Sequence, residues 1–374
     1  MAMRITHVEA VPYNLPVQRV ARFASGARER ADHVLVRVHT DDGLVGQAEA
    51  QPRPYTYGET QESIVAAVGE LLGPALAGLD PLSTERAAER CSRLRRNNVA
   101  RAAVDLAVWD LVGKILDRPC RELLGGYAPD VAAAHIVSYG EPRAMADEAL
   151  EYHERLGIRT FKVKVGRDVE LDLAAVAAIR DALPAAELYV DANQGWSYAQ
   201  ALRTGDALIE LGVDAIEEPI PADDREGRRR LAMRWRVPMI GDESCISLSN
   251  VARSLDDGAI RTVSIKTART GFTESRRILG HCLARAIPVV VGSQYEGAVG
   301  VLATAAFAPA FAATAGRAAE VMNYTDLGDD LLAEPIVIRD GRLVPPAAPG
   351  LGIEIDEEKL AHYRLHERGA LAPV

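Results

Sequence analysis

Lys162 and Lys164 stand two residues apart in the apolar stretch Thr160-Phe-Lys-Val-Lys-Val-Gly166, and residues two apart on a strand share a face. Adjacent ammonium groups disfavour each other's charge, and burial does the same. Both pKa values are therefore expected to move toward neutrality, where an amine can act as a base. Downstream, apolar runs of strand length end in Asp191, Glu217, Asp242 and Lys266. Three carboxylates held together repel unless positive charge sits among them, and hard oxygen donors suit Mg2+ or Mn2+. The chemistry to expect is proton transfer by lysine beside a bound dication.

The elements that must position these groups follow from the spacing. From Lys164 the intervals to the next charged strand ends are 27, 26, 25 and 24 residues, the length of a strand, a loop, a helix and another loop. Charged residues at the carboxyl ends of successive parallel strands converge on one mouth of a (β/α) barrel. Lysines on the second and sixth strands would then face each other across acids on the third, fourth and fifth. Residues 131–138 read as the first strand and 142–156 as the helix after it, with Gly157 as its stop. The later helical stretches 169–183, 197–211, 222–234, 248–255 and 273–286 each carry an apolar stripe and a charged face. Arg225, Arg228, Arg229 and Arg230 form the densest basic run, read as a solvated helix face. A seventh strand, 287–291, ends in Gly292-Ser-Gln-Tyr-Glu-Gly297, a turn that can aim backbone donors and the Ser293 and Gln294 side chains at an anion. Glu296 in that turn either contacts substrate or favours the positive end of the following helix. Residues 318–322 read as the last strand, with Glu320 left without a role.

Residues 1–125 follow a different pattern. Strand-like segments at 5–13, 34–40 and 43–50, the last two joined by the hairpin signal Asp41-Asp42-Gly43, precede helical segments at 63–72, 83–91 and 99–116. Gly73-Pro74 is expected to stop the first of these helices, and Asn97-Asn98 to cap the last. Strands first and helices afterwards predict an α+β capping domain. The barrel is then expected over 126–335. The tail 336–374, with a turn at Asp340-Gly341 and a strand pair within 350–356, is expected to return to the cap.

The composition of the 374 residues, 48% hydrophobic and 26% charged, is that of a folded globular protein. No apolar run reaches membrane-spanning length and the amino terminus lacks a signal pattern, so a cytoplasmic location and no membrane partner are expected. The net charge of −10 argues against a nucleic-acid partner. Four cysteines and eight histidines fall in no disulfide or metal spacing, which predicts reduced thiols.

The set Lys162-x-Lys164, Asp191-Ala-Asn193, Ile216-Glu-Glu-Pro219, Asp242-Glu-Ser244 and Lys266 resembles the enolase superfamily in its muconate-lactonizing branch, over nearly the whole chain. Arg22-Phe-Ala-Ser-Gly26, residues 32–43, Pro54-Tyr-Thr-Tyr-Gly-Glu-Thr-Gln61 and residues 264–272 resemble the anti-adding muconate cycloisomerases more closely still. The Ser293-Gln294-Tyr295-Glu296 turn departs from that pattern. The resemblance implies a modified (β/α)7β barrel, a homo-oligomer, a small carboxylate substrate, and Mg2+ or Mn2+ on Asp191, Glu217 and Asp242. It also implies that the loops 20–30 and 51–59 cap the mouth, with Phe23, Arg53, Tyr55, Tyr57 and Asn193 as substrate contacts. The reaction expected is closure of cis,cis-muconate to muconolactone through an enediolate protonated by a lysine. Lys164 is the expected acid or base, Lys162 its charge-neutralising neighbour and Lys266 the opposing group, with the delivering lysine and the syn or anti course left open. The alternative is a racemase or epimerase of an N-substituted amino acid or dipeptide, since two opposed amines can remove and return a proton on opposite faces. A non-catalytic barrel is disfavoured by intact acids and bases at all five strand ends.

Overall fold

The computed structural model describes residues 3–24, 26–28 and 30–365. Its first strands are β1 (Ile5–Leu15), the short hairpin of β2 (Ala21–Phe23) and β3 (Gly26–Arg28), then β4 (Ala31–Thr40) and β5 (Val45–Ala50). β1, β4 and β5 form an antiparallel sheet in that order, with Tyr13 opposite His33 and Val36 opposite Ala48. The β4–β5 turn falls at Asp41-Asp42-Gly43, where Gly43 takes φ +90° and Thr40 Oγ1 donates to Asp42 Oδ1 at 2.6 Å. Gly46 lets the sheet approach the helix Asn98–Leu116 closely. A Cβ there would lie 2.0 Å from Ala107 O.

That helix is apolar on nearly every side and buried along most of its length, as a helix packed between two layers must be. One side meets β5. The other meets the barrel helix Thr267–Ala284, where Trp109 Nε1 donates to Thr273 Oγ1 at 3.0 Å. Asp105 Oδ2 accepts from Phe272 N (2.7 Å) and Thr273 N (3.0 Å), restarting this barrel helix after its break at Gly271, whose φ is +60°. Asn97 does not cap the helix Asn98–Leu116 as expected. It sits in a left-handed conformation without a capping side-chain bond, and the Glu59 carboxylate accepts from Val99 N and Ala100 N instead, at 2.8 and 3.1 Å. Nor does Gly73-Pro74 stop a helix. Helical backbone continues to Leu76, because a proline in the first turn of a new helical segment sacrifices no hydrogen bond.

Eight parallel strands build the catalytic layer: β6 (Val131–Val137), β7 (Thr160–Lys164), β8 (Glu187–Asp191), β9 (Ala215–Glu217), β10 (Met239–Gly241), β11 (Thr262–Ile265), β12 (Val289–Val291) and β13 (Ala319–Glu320). The ladder runs from β13 to β6 and then in sequence order to β12. Across the remaining seam, Ser293 N donates to Glu320 Oε2 at 2.8 Å. A helix follows each strand from β6 to β12, so the fold is the (β/α)7β barrel with an α+β cap. Register places Lys164 beside Asp191 and Asp191 beside Glu217 at one rim.

The tail differs from the sequence reading. Its strands are β14 (Ile338–Arg339) and β15 (Arg342–Leu343), turned at Asp340-Gly341, and β15 adds antiparallel to β6. Residues 350–356 form no strand pair. Gly350 and Gly352 both take positive φ and turn the chain, while Leu351 N donates to Asp110 Oδ1 (2.7 Å) and Cys120 N to Gly350 O (2.6 Å). The helix Glu357–Tyr363 then brings Leu365 N to Pro12 O on β1, at 2.8 Å. Cys91, Cys120, Cys245 and Cys282 are buried free thiols. Among the described residues no helix is long and apolar enough to cross a membrane.

Candidate active site

The carboxyl ends of the barrel strands surround a narrow cleft, lined by Lys162, Lys164, Asn193, Asp242, Glu243 and Lys266 from the barrel, Arg53, Thr56 and Tyr57 from the cap, and Ser293, Gln294 and Tyr295 from the turn after β12. β7 and β11 are four positions apart in an eight-strand ring, so Lys164 and Lys266 approach the cleft from opposite walls. Lys162 Nζ meets three acids: Glu217 Oε1 at 2.7 Å, Glu320 Oε1 at 2.9 Å and Asp191 Oδ2 at 3.0 Å. Lys164 Nζ donates to the same Asp191 Oδ2 at 2.6 Å and to Asn193 Oδ1 at 2.9 Å. Lys266 Nζ donates to Asp242 Oδ2 at 2.5 Å.

For Lys162 the ion pairs reverse the expected direction of the pKa. Burial alone would lower Lys162, and is the largest single influence on it. Asp191, Glu217 and Glu320 together outweigh burial and hold the ammonium well above its usual range. Lys266 is likewise raised, burial being overcome first by Asp242. Asp191, Glu217 and Glu320 arrive from β8, β9 and β13, so the neighbouring lysine and the apolar flanks of Lys162 do not decide its charge. The acids respond unequally. Burial pushes Asp191 up, but Lys162 and Lys164 bring it down to about 2. Glu217 stays well above its usual value, because burial and the carboxylates of Asp191, Asp242 and Glu320 outweigh Lys162. Burial, then Asp242 and Glu218, lift Glu243 to about 7.

The carboxylates suit a divalent cation in chemistry. Asp191 and Glu217 already meet on one nitrogen, and Asp242 acts electrostatically on both. Glu217 Oε2 is buried without a hydrogen-bond partner, and a further positive charge would relieve this crowded acid most. The acids turn toward ammonium groups rather than toward a common point. Among the described residues, no three acids, histidines or cysteines stand as a ready coordination cage.

Two of the expected substrate contacts are not placed in the cleft. Tyr55 is 94% exposed, on the outer side of a tight turn in which Tyr57 N donates to Arg53 O at 2.8 Å. Glu296 does not line the cleft; its Oε2 accepts from Gln294 N at 2.9 Å, and it precedes the helix Ala298–Phe307. The Phe23 side chain lies outside the described residues. Arg228 departs from the solvated face expected for its basic run. It is buried, donating through Nη1 to Glu218 Oε2 and through Nη2 to Ser244 Oγ at 3.0 Å. Glu218, turned away from Glu217, accepts from Asp242 N (2.6 Å) and Ser244 N (3.0 Å) and so fixes the backbone of the Asp242 loop.

Several groups at the site carried only weak signals in the sequence. Arg269 lies three residues after Lys266, one helical turn on, which sets the two cations side by side. Tyr189 lies two before Asp191 on the same strand face, and donates to Glu320 Oε1 at 2.9 Å. Glu320, left without a role by the sequence, is an anchor for Lys162 and for the Ser293 backbone.

Two family models match the chain: the mandelate racemase / muconate lactonizing enzyme N-terminal domain over residues 4–125, and the enolase C-terminal domain-like family over residues 144–359. The chain belongs to the mandelate racemase / muconate lactonizing enzyme family of the enolase superfamily. It is similar to muconate cycloisomerase 1 of Pseudomonas putida, 33% identical over 96% of this chain and 98% of that protein. The structure of a muconate lactonizing enzyme from Mucobacterium Smegmatis complexed with muconolactone superposes with a TM-score of 0.96, at 45% identity over 97% of this chain and all of that one. A dipeptide epimerase from Enterococcus faecalis V583, complexed with Mg and the dipeptide L-Leu-L-Tyr, superposes with a TM-score of 0.87, at 30% identity over 94% of this chain and 99% of that one. The family is one of isomerases and related enzymes, and this chain is an enzyme of that kind.

Glu296 gives a test that needs no substrate. Burial, and then the Glu49 carboxylate, push it up from 4.5 to about 7, and its Oε1 has no partner. A raised pKa in the folded state means that unfolding releases this proton between about pH 4.5 and 7, so stability falls as pH rises through that window. Glu296→Gln removes the effect. Urea unfolding should show the variant gaining about 3 kcal/mol on the wild type between pH 4 and pH 8. Parallel stability curves would refute it.

Proposed function

We propose that this enzyme is a muconate cycloisomerase that works with Mg2+ or Mn2+ held by Asp191, Glu217 and Asp242. The observation carrying this reading is the charge of the cleft. Arg53, Lys162, Lys164 and Lys266 line it together with Asp242 and Glu243, while Asp191, Glu217 and Glu320 pair with Lys162 and Lys164 from behind the wall. These cationic donors on the wall suit a substrate with two carboxylates, whereas the ammonium of a zwitterion would sit beside like charges.

A cation bound by these acids would polarise one substrate carboxylate and stabilise negative charge developing on its oxygens. The chain's own residues do the rest. Ser293 and Gln294 border the cleft beside Lys266 and can position the substrate there. The distal carboxylate oxygen closes onto the chain of double bonds, forming the C–O bond of the lactone. The displaced π pair moves to the carbon beside the other carboxylate. A proton from Nζ of Lys164 or Lys266 completes that carbon, and solvent restores the amine. Lys162, paired with three acids, keeps its proton and neutralises charge.

The opposed placement of Lys164 and Lys266 also favours a second reading, racemisation of an N-substituted amino acid or dipeptide. One amine would remove the α-proton and the other return one on the opposite face. An N-succinyl amino acid, being a dianion, suits the cationic wall better than a dipeptide.

The deciding assay supplies cis,cis-muconate, N-succinyl amino acids and dipeptides in D2O with Mg2+. Lactone carrying one deuterium beside its carboxylate is expected. Deuterium exchange of an N-succinyl amino acid or dipeptide without lactone formation would move the assignment to the racemase. No turnover and no exchange across the panel would remove both.

A further inference from the structure

Arg269 has no part in the chemistry just described, yet it is among the most completely buried charged groups of the molecule. An arginine is costly to enclose unless its donors are matched. Here Nη1 reaches both Asp242 Oδ1 and Tyr57 OH, the latter at 2.8 Å, and Nη2 donates to Ser264 O at 3.0 Å. Lys266 holds the other Asp242 oxygen. The carboxylate therefore cannot turn without releasing one of the two cations.

Tyr57 belongs to a different part of the fold. It lines the cleft from the 51–59 loop of the cap, a loop closed on itself by Arg53 N donating to Glu59 O at 3.1 Å. The loop is moored at both ends. Gln294 Nε2 donates to Gln51 O at 3.2 Å, and Glu59 caps the helix Asn98–Leu116. Between the moorings, the hydroxyl of Tyr57 on Arg269 ties the loop to the barrel mouth through a rigid, permanently charged fork.

We propose that Arg269 is a positioning residue that couples the seating of the 51–59 loop to the orientation of Asp242, through Tyr57. Binding a cation at the Asp242 carboxylate and closing the loop then reinforce each other, and such coupling is reciprocal. This rests on the assignment of Asp242 as a metal ligand but not on the identity of the substrate, and it is tested without turnover.

Hydrogen exchange of the peptide spanning 51–59 is followed with and without Mn2+, after calorimetry has established Mn2+ binding to both wild type and Tyr57→Phe. Mn2+ should slow exchange of this loop about tenfold in the wild type and less than twofold in Tyr57→Phe, which loses only a hydroxyl. Arg269→Lys keeps the charge but cannot span both partners, and should weaken Mn2+ binding about tenfold. Within the arginine variant, adding Tyr57→Phe should change loop exchange no further, the signature of two residues acting as one unit. Equal Mn2+ protection in wild type and Tyr57→Phe, or no protection in a wild type that binds Mn2+, would overturn the proposal. A third arm covers a protein in which calorimetry detects no Mn2+ binding. Asp242→Asn without metal should then speed exchange of the same loop severalfold, and unchanged exchange would overturn the proposal.

Discussion

Lys266→Ala is expected to lower kcat by about 10^2 to 10^4-fold, the range that a positioned proton donor or acceptor supplies. The fold should survive, because Asp242 keeps Arg269 as its counter-charge when the amine is removed. Lys164→Ala is expected to behave alike for a parallel reason: Asp191 retains Lys162, 3.0 Å away. Both substitutions remove an amine from the cleft wall without leaving a buried carboxylate unpaired. Lys162→Met is the contrast. Three acids lose the nitrogen they share, and a buried group left without its counter-charge costs about 3 kcal/mol or more. Single-turnover rates with circular dichroism melts separate the cases. A Lys164→Ala or Lys266→Ala variant with turnover within tenfold of wild type would end the two-lysine scheme, and a Lys162→Met variant as stable as wild type would refute the shared-nitrogen account.

The two kinds of lysine also show what a single sequence can reveal. The barrel was legible because its units repeat. Each buried strand announces itself by an apolar run, and each strand end by a charge at nearly constant interval. The cap was legible at its hairpin, where Asp41-Asp42-Gly43 supplies the one residue able to take φ +90°. Groups whose meaning lies in contacts across the fold were not legible. Nothing local to Lys162 reveals that Glu320, 158 residues on, will share its proton. Arg228 reads as one of four surface arginines until Glu218 is brought against it by a turn with positive φ. The capping Glu59 and the superseded Asn97 make the same point for a helix end, since a side chain from a distant loop can displace the local candidate. Tyr55 and Tyr57 are equivalent on paper. Only the turn drawn by Tyr57 N to Arg53 O decides which ring faces the cleft.

Asp242→Asn should weaken Mg2+ binding by 100-fold or more, an effect of about 3 kcal/mol. Loss of one hard anionic donor accounts for part of it. The larger part comes from what the carboxylate was neutralising: Lys266 on one oxygen and Arg269 on the other. An amide can accept from one of them, but its NH2 faces the second, so two buried cations are left against the position proposed for a third. Burial of an unmatched cation should also lower stability by about 3 kcal/mol, and here the metal-free protein serves as its own control. Asp191→Asn offers the comparison on the opposite wall, where Lys162 retains Glu217 and Glu320 and only Lys164 loses its ionic partner among the acids of the floor. Its stability loss should be the smaller of the two. Chelation should abolish turnover in the wild type and added Mg2+ restore it, whereas Asp242→Asn should need at least 100-fold more Mg2+ for half its activity. Calorimetry giving an Mg2+ affinity for Asp242→Asn within threefold of wild type would remove Asp242 from the ligand set, and with it the cation from the centre of the cleft.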